Sequence, residues 1–162
     1  MVFSKKKESI LSYIMDLRSL VGSRPLIVIG ACVLILDSEG KLLLLRRSDN
    51  NRWGLPGGSM EPGETLAQAA SREVQEEAGV TNLALKFLHV FSGPDLYHVY
   101  PNGDQAYIVT SAFCSHTFTG VACVADNENT EIGFFPINKL PEDLSPPSKI
   151  ILDYFLRNPC GC

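Results

Sequence analysis

The chain has no basic excess. Its 14 lysines and arginines face 18 aspartates and glutamates, a formal net charge of −4. A general nucleic-acid binder presents a basic field, so polymeric nucleic acid is not an expected partner. An apolar run of membrane-spanning length is also missing. Lys5, Lys6 and Lys7 precede a moderately apolar stretch, but Ser12, Asp16, Arg18 and Ser19 interrupt it. That stretch reads as an amphipathic helix and not as a signal peptide. The lysine run reads as a solvated tail. Cysteine is scarce and scattered, at Cys32, Cys114, Cys123, Cys160 and Cys162. An odd set of this kind is a poor disulfide framework and points to a reducing cytoplasm. Cys160-Gly161-Cys162 has no second pair with which to hold zinc. No linker, repeat or low-complexity segment divides the chain. At 162 residues it reads as one domain over residues 1–162, with a flexible tail from about 158.

What is present is an alternation of strand-like and helix-like segments. Apolar residues at Ile10, Leu11, Ile14, Leu17, Leu20 and Val21 recur with a helical period, and Gly22 and Pro25 end that helix. It is expected over about residues 8–21. Leu26 to Leu36 is an unbroken apolar run, read as a strand buried on both faces, with Cys32 in its packing. Asp37-Ser38-Glu39-Gly40 is a turn, and Lys41 to Arg47 reads as the antiparallel return strand of a hairpin. A helix follows over Thr65 to Ala78. Small residues Ala67, Ala70, Val74 and Ala78 lie on one arc of it and allow close approach to a sheet. Leu83 to Phe91 and Gln105 to Phe118 are strand candidates. Ser92 to Asp104 is a loop or hairpin around Pro101-Asn102-Gly103-Asp104. Ile132 to Pro136 is a short strand, and Ser148 to Leu156 a terminal helix. Strands interleaved with helices imply a layered α/β domain.

The densest chemistry lies in Gly57 to Val80. A loop with Gly57, Gly58, Pro62 and Gly63 runs into the helix carrying Glu73, Glu76 and Glu77. Carboxylates at i, i+3 and i+4 share one helical face. Three like charges so close are reconciled by a hard divalent cation held on oxygen ligands, as suits Mg²⁺ or Mn²⁺. Glutamate-rich helix faces are otherwise solvated surfaces.

Written as Gly58, five residues, Glu64, seven residues, then Arg72-Glu73-Val74-Gln75-Glu76-Glu77-Ala78-Gly79-Val80, the stretch matches every fixed position of the Nudix box. The chain therefore resembles the Nudix hydrolases. The resemblance implies a mixed β-sheet sandwiched between helices, an α/β/α fold. It implies hydrolysis of a phosphoric anhydride in a small nucleotide, with Mg²⁺ as cofactor and Mn²⁺ as a possible substitute. Glu73, Glu76 and Glu77 match the metal-binding positions, and the Gly57 carbonyl matches a further ligand. Glu64 matches the first glutamate of the box, which supports metal-bound water or the base chemistry. Arg72 stands beside Glu73 and four residues before Glu76, placed to orient them. A glutamate from a loop beyond the box often supplies a ligand or the base, and Glu128 is preferred here over Glu131. A homodimer is a possible assembly by the same analogy.

Substrate choice in such enzymes lies outside the box. Of Arg46, Arg47 and Arg52, one is expected to meet phosphate, and Arg47 is the choice. Trp53 either contacts substrate or packs on the sheet. A proline downstream of the box is associated with ADP-ribose pyrophosphatases, a tyrosine slightly further on with dinucleoside polyphosphate hydrolases. Pro94 lies 14 residues past Val80 and Tyr97 lies 17 past it, so both cues are nearly met. The leading expectation is a nucleoside diphosphate linked to another moiety, such as ADP-ribose or a nucleotide sugar. An oxidised or ordinary nucleoside triphosphate, or a dinucleoside polyphosphate, is the alternative. A non-catalytic nucleotide-binding module is expected to lose box carboxylates, and all four are present here. Isomerisation on the same fold needs other acid/base groups, such as a cysteine near the site.

Overall fold

The turn at Asp37 forms as expected, but the two strands it joins part company. The computed structural model describes residues 11–158. Strand β1 (Leu26–Ile35) leads through the turn into β2 (Lys41–Arg47). The Asp37 carboxylate accepts from the Glu39 and Lys41 amides, both at 2.9 Å, and Leu36 bridges Leu42. Beyond that single bridge the strands enter different sheets. β1 pairs with β4 (Gly57–Ser59) and, in parallel, with β7 (Gln105–Ser115). β7 also pairs with β5 (Lys86–Phe91) and β6 (Tyr97–Val99). β2 instead pairs with β3 (Trp53–Gly54) and β8 (Asn129–Pro136). The expected β1–β2 hairpin is thus corrected to a crossing between sheets. A parallel pair within an otherwise antiparallel set makes the larger sheet mixed.

Helices flank these sheets. Helix α1 (Leu11–Val21) precedes β1, and residues 8–10 of its expected start lie outside the described residues. The tail from residue 159 lies outside them too. Helix α2 (Leu66–Ala78) covers β1 through Ala69, Ala70, Val74 and Ala78, all fully buried with Val33, Ile35 and Leu43. Ala67 is exposed, and Ala69 takes the packing place expected of it. Helix α3 (Pro146–Arg157) closes a second core, where Ile151, Leu152 and Phe155 meet Leu34, Leu42 and Leu44. β1 is buried on both faces only in its second half. Ile27 and Ile29 are 72% and 46% exposed. No helix among the described residues is long and apolar enough to cross a membrane.

Local chemistry fixes both ends of α2. Thr65 Oγ1 accepts from the Gln68 amide at 3.2 Å, and Gln68 Oε1 accepts from the Thr65 amide at 2.8 Å. This reciprocal cap satisfies two helix-start donors. Gly79 stops the helix in the left-handed conformation, at φ 70°. The last carbonyls are then used by the segment after β7. The Cys123 amide donates to Ala78 O at 3.1 Å and the Ala125 amide to Glu77 O at 3.0 Å. Residues 121–125 therefore anchor the chain to the end of α2. That anchor delivers the acidic loop from Asp126 to the glutamate face of α2.

Cysteine chemistry also departs from expectation. Cys32 and Cys123 are free, whereas Cys114 is disulfide-bonded. The Cys160-Gly161-Cys162 tail lies outside the described residues.

Candidate active site

Arg72 is the hub of the site. Its Nε donates to Glu64 Oε1 at 2.6 Å and its Nη2 to Glu64 Oε2 at 3.0 Å, a fork-on-fork pair. Nη1 donates to Glu73 Oε1 at 2.8 Å and, longer, to Glu76 Oε2 at 3.4 Å. Nη2 also reaches the Ser59 carbonyl at 2.9 Å. One guanidinium therefore ties three carboxylates and strand β4 together. The pairing with Glu73 and Glu76 read from spacing forms, but the closest partner is Glu64, eight residues back in sequence. The guanidinium hydrogen bond pulls the Glu64 carboxyl below the usual carboxylate range. Glu73 is pushed up by burial, which outweighs its bond to Arg72.

Glu77 sits deeper. It is 7% exposed, and its Oε2 accepts from the Gly57 amide at 2.8 Å. Burial pushes its carboxyl up to about 8, against the lowering effect of the Gly57 amide. Glycines make this approach possible. A Cβ on Gly58 would stand under 3.0 Å from the Glu73 carboxyl group, and one on Gly57 would strike the β1 backbone at Ala31 and Cys32. Gly30 faces the same constraint from the Gly58 carbonyl. Its requirement for glycine was invisible in sequence, because the neighbour is 28 residues away across a strand pairing.

The carboxylates border a cleft of about 1210 Å³. Arg47, Glu73, Glu76, Glu77, Asp126 and Glu128 line it, with α1 forming the far wall through Ile14 and Met15. A second cleft of about 470 Å³ adjoins it. The two share Arg47, Gly57, Gly58, Glu77 and Tyr100. Ile108, Thr110, Leu55, His98 and Ile151 line the smaller one.

The candidates read from sequence separate in space. Glu128 borders the larger cleft, and Ser48 pins its carbonyl through both amide and hydroxyl at 2.8 Å. Glu131 lies instead on β8, paired with Arg46 at 3.0 Å. Arg47 reaches both clefts and is held by Asp49 through two bonds of 3.0 and 3.1 Å. Arg46 points elsewhere, toward Glu131 and Asp143, and lies over the Trp53 ring. Trp53 lines neither cleft. It is 8% exposed and meets Phe135 edge-on at 4.8 Å, so it is a core residue. Pro94 opens a short 3₁₀ turn (Pro94–Leu96) and also lines neither cleft. Tyr97 is on the wrong face of β6. Its ring lies 5.0 Å from Tyr107, and its hydroxyl donates to Gln105. Strand alternation sends His98 and Tyr100 to the cleft side, where their rings meet edge-on at 4.5 Å. Cys32 lines the smaller cleft, but burial pushes its thiol up to about 12. A thiol so raised is no acid/base group near neutrality.

The NUDIX domain profile matches residues 27–155. The chain belongs to the Nudix hydrolase family. These are enzymes of phosphoric anhydride bonds. An ADP-ribose pyrophosphatase of Methanocaldococcus jannaschii is 32% identical over 123 residues, 74% of this chain and 69% of that protein. A putative 8-oxo-dGTP diphosphatase of Bacillus subtilis is 38% identical over 65 residues, 40% of this chain and 44% of the relative. Among solved structures, a MutT Nudix hydrolase from Burkholderia pseudomallei superposes with a TM-score of 0.68 at 27% identity, covering 81% of this chain and 98% of that one. The α/β sandwich with a mixed sheet is thus the Nudix fold.

Proposed function

We propose that this Nudix hydrolase cleaves the diphosphate bridge of a nucleoside diphosphate linked to a second moiety, such as ADP-ribose or a nucleotide sugar. The observation that carries this reading is the paired cleft. Gly57, Gly58, Arg47 and Glu77 border both parts, so a bridge held there leaves room for a group on either side. The smaller part, with its apolar floor and His98 and Tyr100, suits a planar base. The larger part takes the other moiety. The name of the Methanocaldococcus relative agrees with this substrate class.

The residues present fit a divalent metal. Glu73, Glu76, Glu77 and the Gly57 carbonyl would hold it, all hard oxygen donors. Glu77 supports the fit, because a buried carboxyl raised to about 8 is what a nearby cation would offset. Among the described residues no group of three such side chains forms a ready-made cage. Arg72 instead gathers Glu64, Glu73 and Glu76 to itself. Mg²⁺ is the expected ion, with Mn²⁺ able to replace it. When bound, the metal supplies charge neutralisation on phosphoryl oxygens and a water of lowered pKa.

The chain's own residues do the rest. Arg72 holds both oxygens of Glu64 and so fixes the direction in which that carboxylate can take a proton. Glu128 supplies a second candidate base from the acidic loop anchored beside α2. Arg47 exchanges Asp49 for a phosphate, keeping the same two-pronged geometry. A homodimer, a single domain and a cytoplasmic location complete the reading. The location rests on the small-nucleotide substrate alone, since the bonded Cys114 removes the argument from cysteine usage. An oxidised nucleoside triphosphate is the second reading, favoured by the name of the Bacillus relative. Pro94 and Tyr97 both lie outside the two clefts, so neither positional cue chooses between ADP-ribose and a dinucleoside polyphosphate. Incubation with a panel of nucleotide derivatives, with Mg²⁺ and with Mn²⁺, tests the proposal. Release of a nucleoside monophosphate from ADP-ribose or a nucleotide sugar is expected. Turnover confined to triphosphates overturns the substrate assignment.

A further inference from the structure

Half of one face of the larger sheet is covered by α2, and among the described residues the other half is apolar and exposed. The odd-numbered residues of β1 point to the α2 side. Ala31, Val33 and Ile35 are buried there, yet Ile27 and Ile29 continue the same face into solvent. Strand register carries the bare region sideways. Ile27 stands beside Tyr107 of β7, and Tyr107 beside Tyr97 of β6. Ile29 stands beside Val109. Val99 follows Tyr97 on the same side, and Val90 of β5 pairs with Ser111 in the next row of β7. Tyr97, Val99, Tyr107 and Val90 are 40%, 53%, 44% and 43% exposed. Phe87, which pairs with Phe113 at the rim of the α2 core, is 56% exposed. No charged residue stands on these rows.

We propose that two copies of this chain meet face to face through this bare half-sheet. The proposal deepens the homodimer reading and does not depend on the hydrolytic one. Area supports a second copy as the occupant. Seven large apolar side chains, each about half exposed, offer roughly 100 Å² apiece, given that a whole aromatic side chain buries roughly 150–250 Å². Together they approach the roughly 800 Å² per partner of a standard stable interface. They exceed what a monomer ordinarily leaves bare in one patch, roughly 300–600 Å². Composition supports it as well. A flat face rich in tyrosine and aliphatic residues, without charge, has nothing to select an oppositely charged partner. It is complementary to itself about a two-fold axis. The clefts lie on the opposite face of these strands, at Val28, His98, Tyr100 and Thr110, so pairing leaves them open.

Sedimentation equilibrium of the full chain tests this. A species of twice 17.8 kDa is expected at tens of micromolar, by order of magnitude for an interface of this size. Ile27→Glu and Tyr107→Glu, made separately, are expected to raise the dimer dissociation constant more than about 30-fold, the scale of a central interface residue. Leu20→Glu, on the exposed outside of α1, is the control and leaves the dimer intact. Circular dichroism confirms that each variant is folded. As a check that needs no variant, amide exchange at β6 and at the start of β1 slows as protein concentration rises. A wild-type monomer at these concentrations overturns the proposal. So does a dimer that survives both glutamates, or one broken only by Leu20→Glu.

Discussion

The two walls of the cleft are built by different rules. On one side α2 presents Glu73, Glu76 and Glu77 from a helix capped at both ends and tied to β4 by Arg72. On the other side the β6 hairpin presents His98 from a three-residue strand and Tyr100 from just beyond it, at the turn through Pro101 to Asp104. The helix wall is over-determined, since each carboxylate answers to the same guanidinium, to a glycine, or to both. The hairpin wall is held by a few ladder bonds, an Asn102–Asp104 contact of 3.0 Å, and Arg18 of α1, which donates to the Gln105 carbonyl and meets Asp104 at 3.6 Å. Reaction chemistry needs its groups held to a fraction of an ångström, whereas recognition tolerates a wall that is easily altered. The difference teaches where to look for each property in this molecule.

Six substitutions sharpen that contrast. Glu76→Gln keeps the shape of the helix wall and removes a charge. It is expected to lower kcat by more than about 100-fold with KM little changed, because the loss falls on the reacting state. Steady-state kinetics with Mg²⁺ reads this, and intact turnover sinks the metal assignment. Arg72→Lys leaves a cation but loses the fork that grips Glu64. A fall of about 10- to 100-fold is expected, the scale for partners that orient metal ligands. If lysine works as well as arginine, the hub is only a point charge. His98→Ala and Tyr100→Ala probe the hairpin wall. Each is expected to raise KM by about 2- to 10-fold and spare kcat, as for the loss of one aromatic contact. Tyr97→Ala, one residue away on the other face, leaves KM unchanged. Equal effects at 97 and 98 would mean that the register of β6 is misread. Thr65→Ala is the smallest. It removes the helix cap and costs about 1 kcal/mol of stability in denaturant unfolding, without touching the cleft.

The same contrast explains what could be read from sequence. The α2 wall was legible because its logic is local. Gly79 and the glutamates at helical spacing act within one or two turns. Even there, the tightest bond of Arg72 goes to Glu64 across a loop, where spacing along a helix gives no guide. The hairpin wall was poorly legible because a strand changes face with every residue. Its existence followed from Pro-Asn-Gly-Asp, but choosing His98 over Tyr97 needed the pairing with β7. The split of β1 from β2 was illegible for a related reason. Asp37 to Gly40 makes the same turn whether the strands stay together or diverge, and what draws β2 away is β8, some 90 residues later. Trp53 illustrates the converse. Its neighbours in sequence belong to the site, but its ring belongs to the core with Phe135.

The account's central claim is that the glutamate wall and the paired cleft act together on a diphosphate bridge. Hydrolysis of ADP-ribose in ¹⁸O-labelled water, with and without Mg²⁺, tests it most directly. The predicted result is metal-dependent cleavage to AMP and ribose 5-phosphate, with one labelled oxygen in one of the two products. Cleavage that needs no metal contradicts it, and so does inertness toward every nucleoside diphosphate derivative while triphosphates release pyrophosphate.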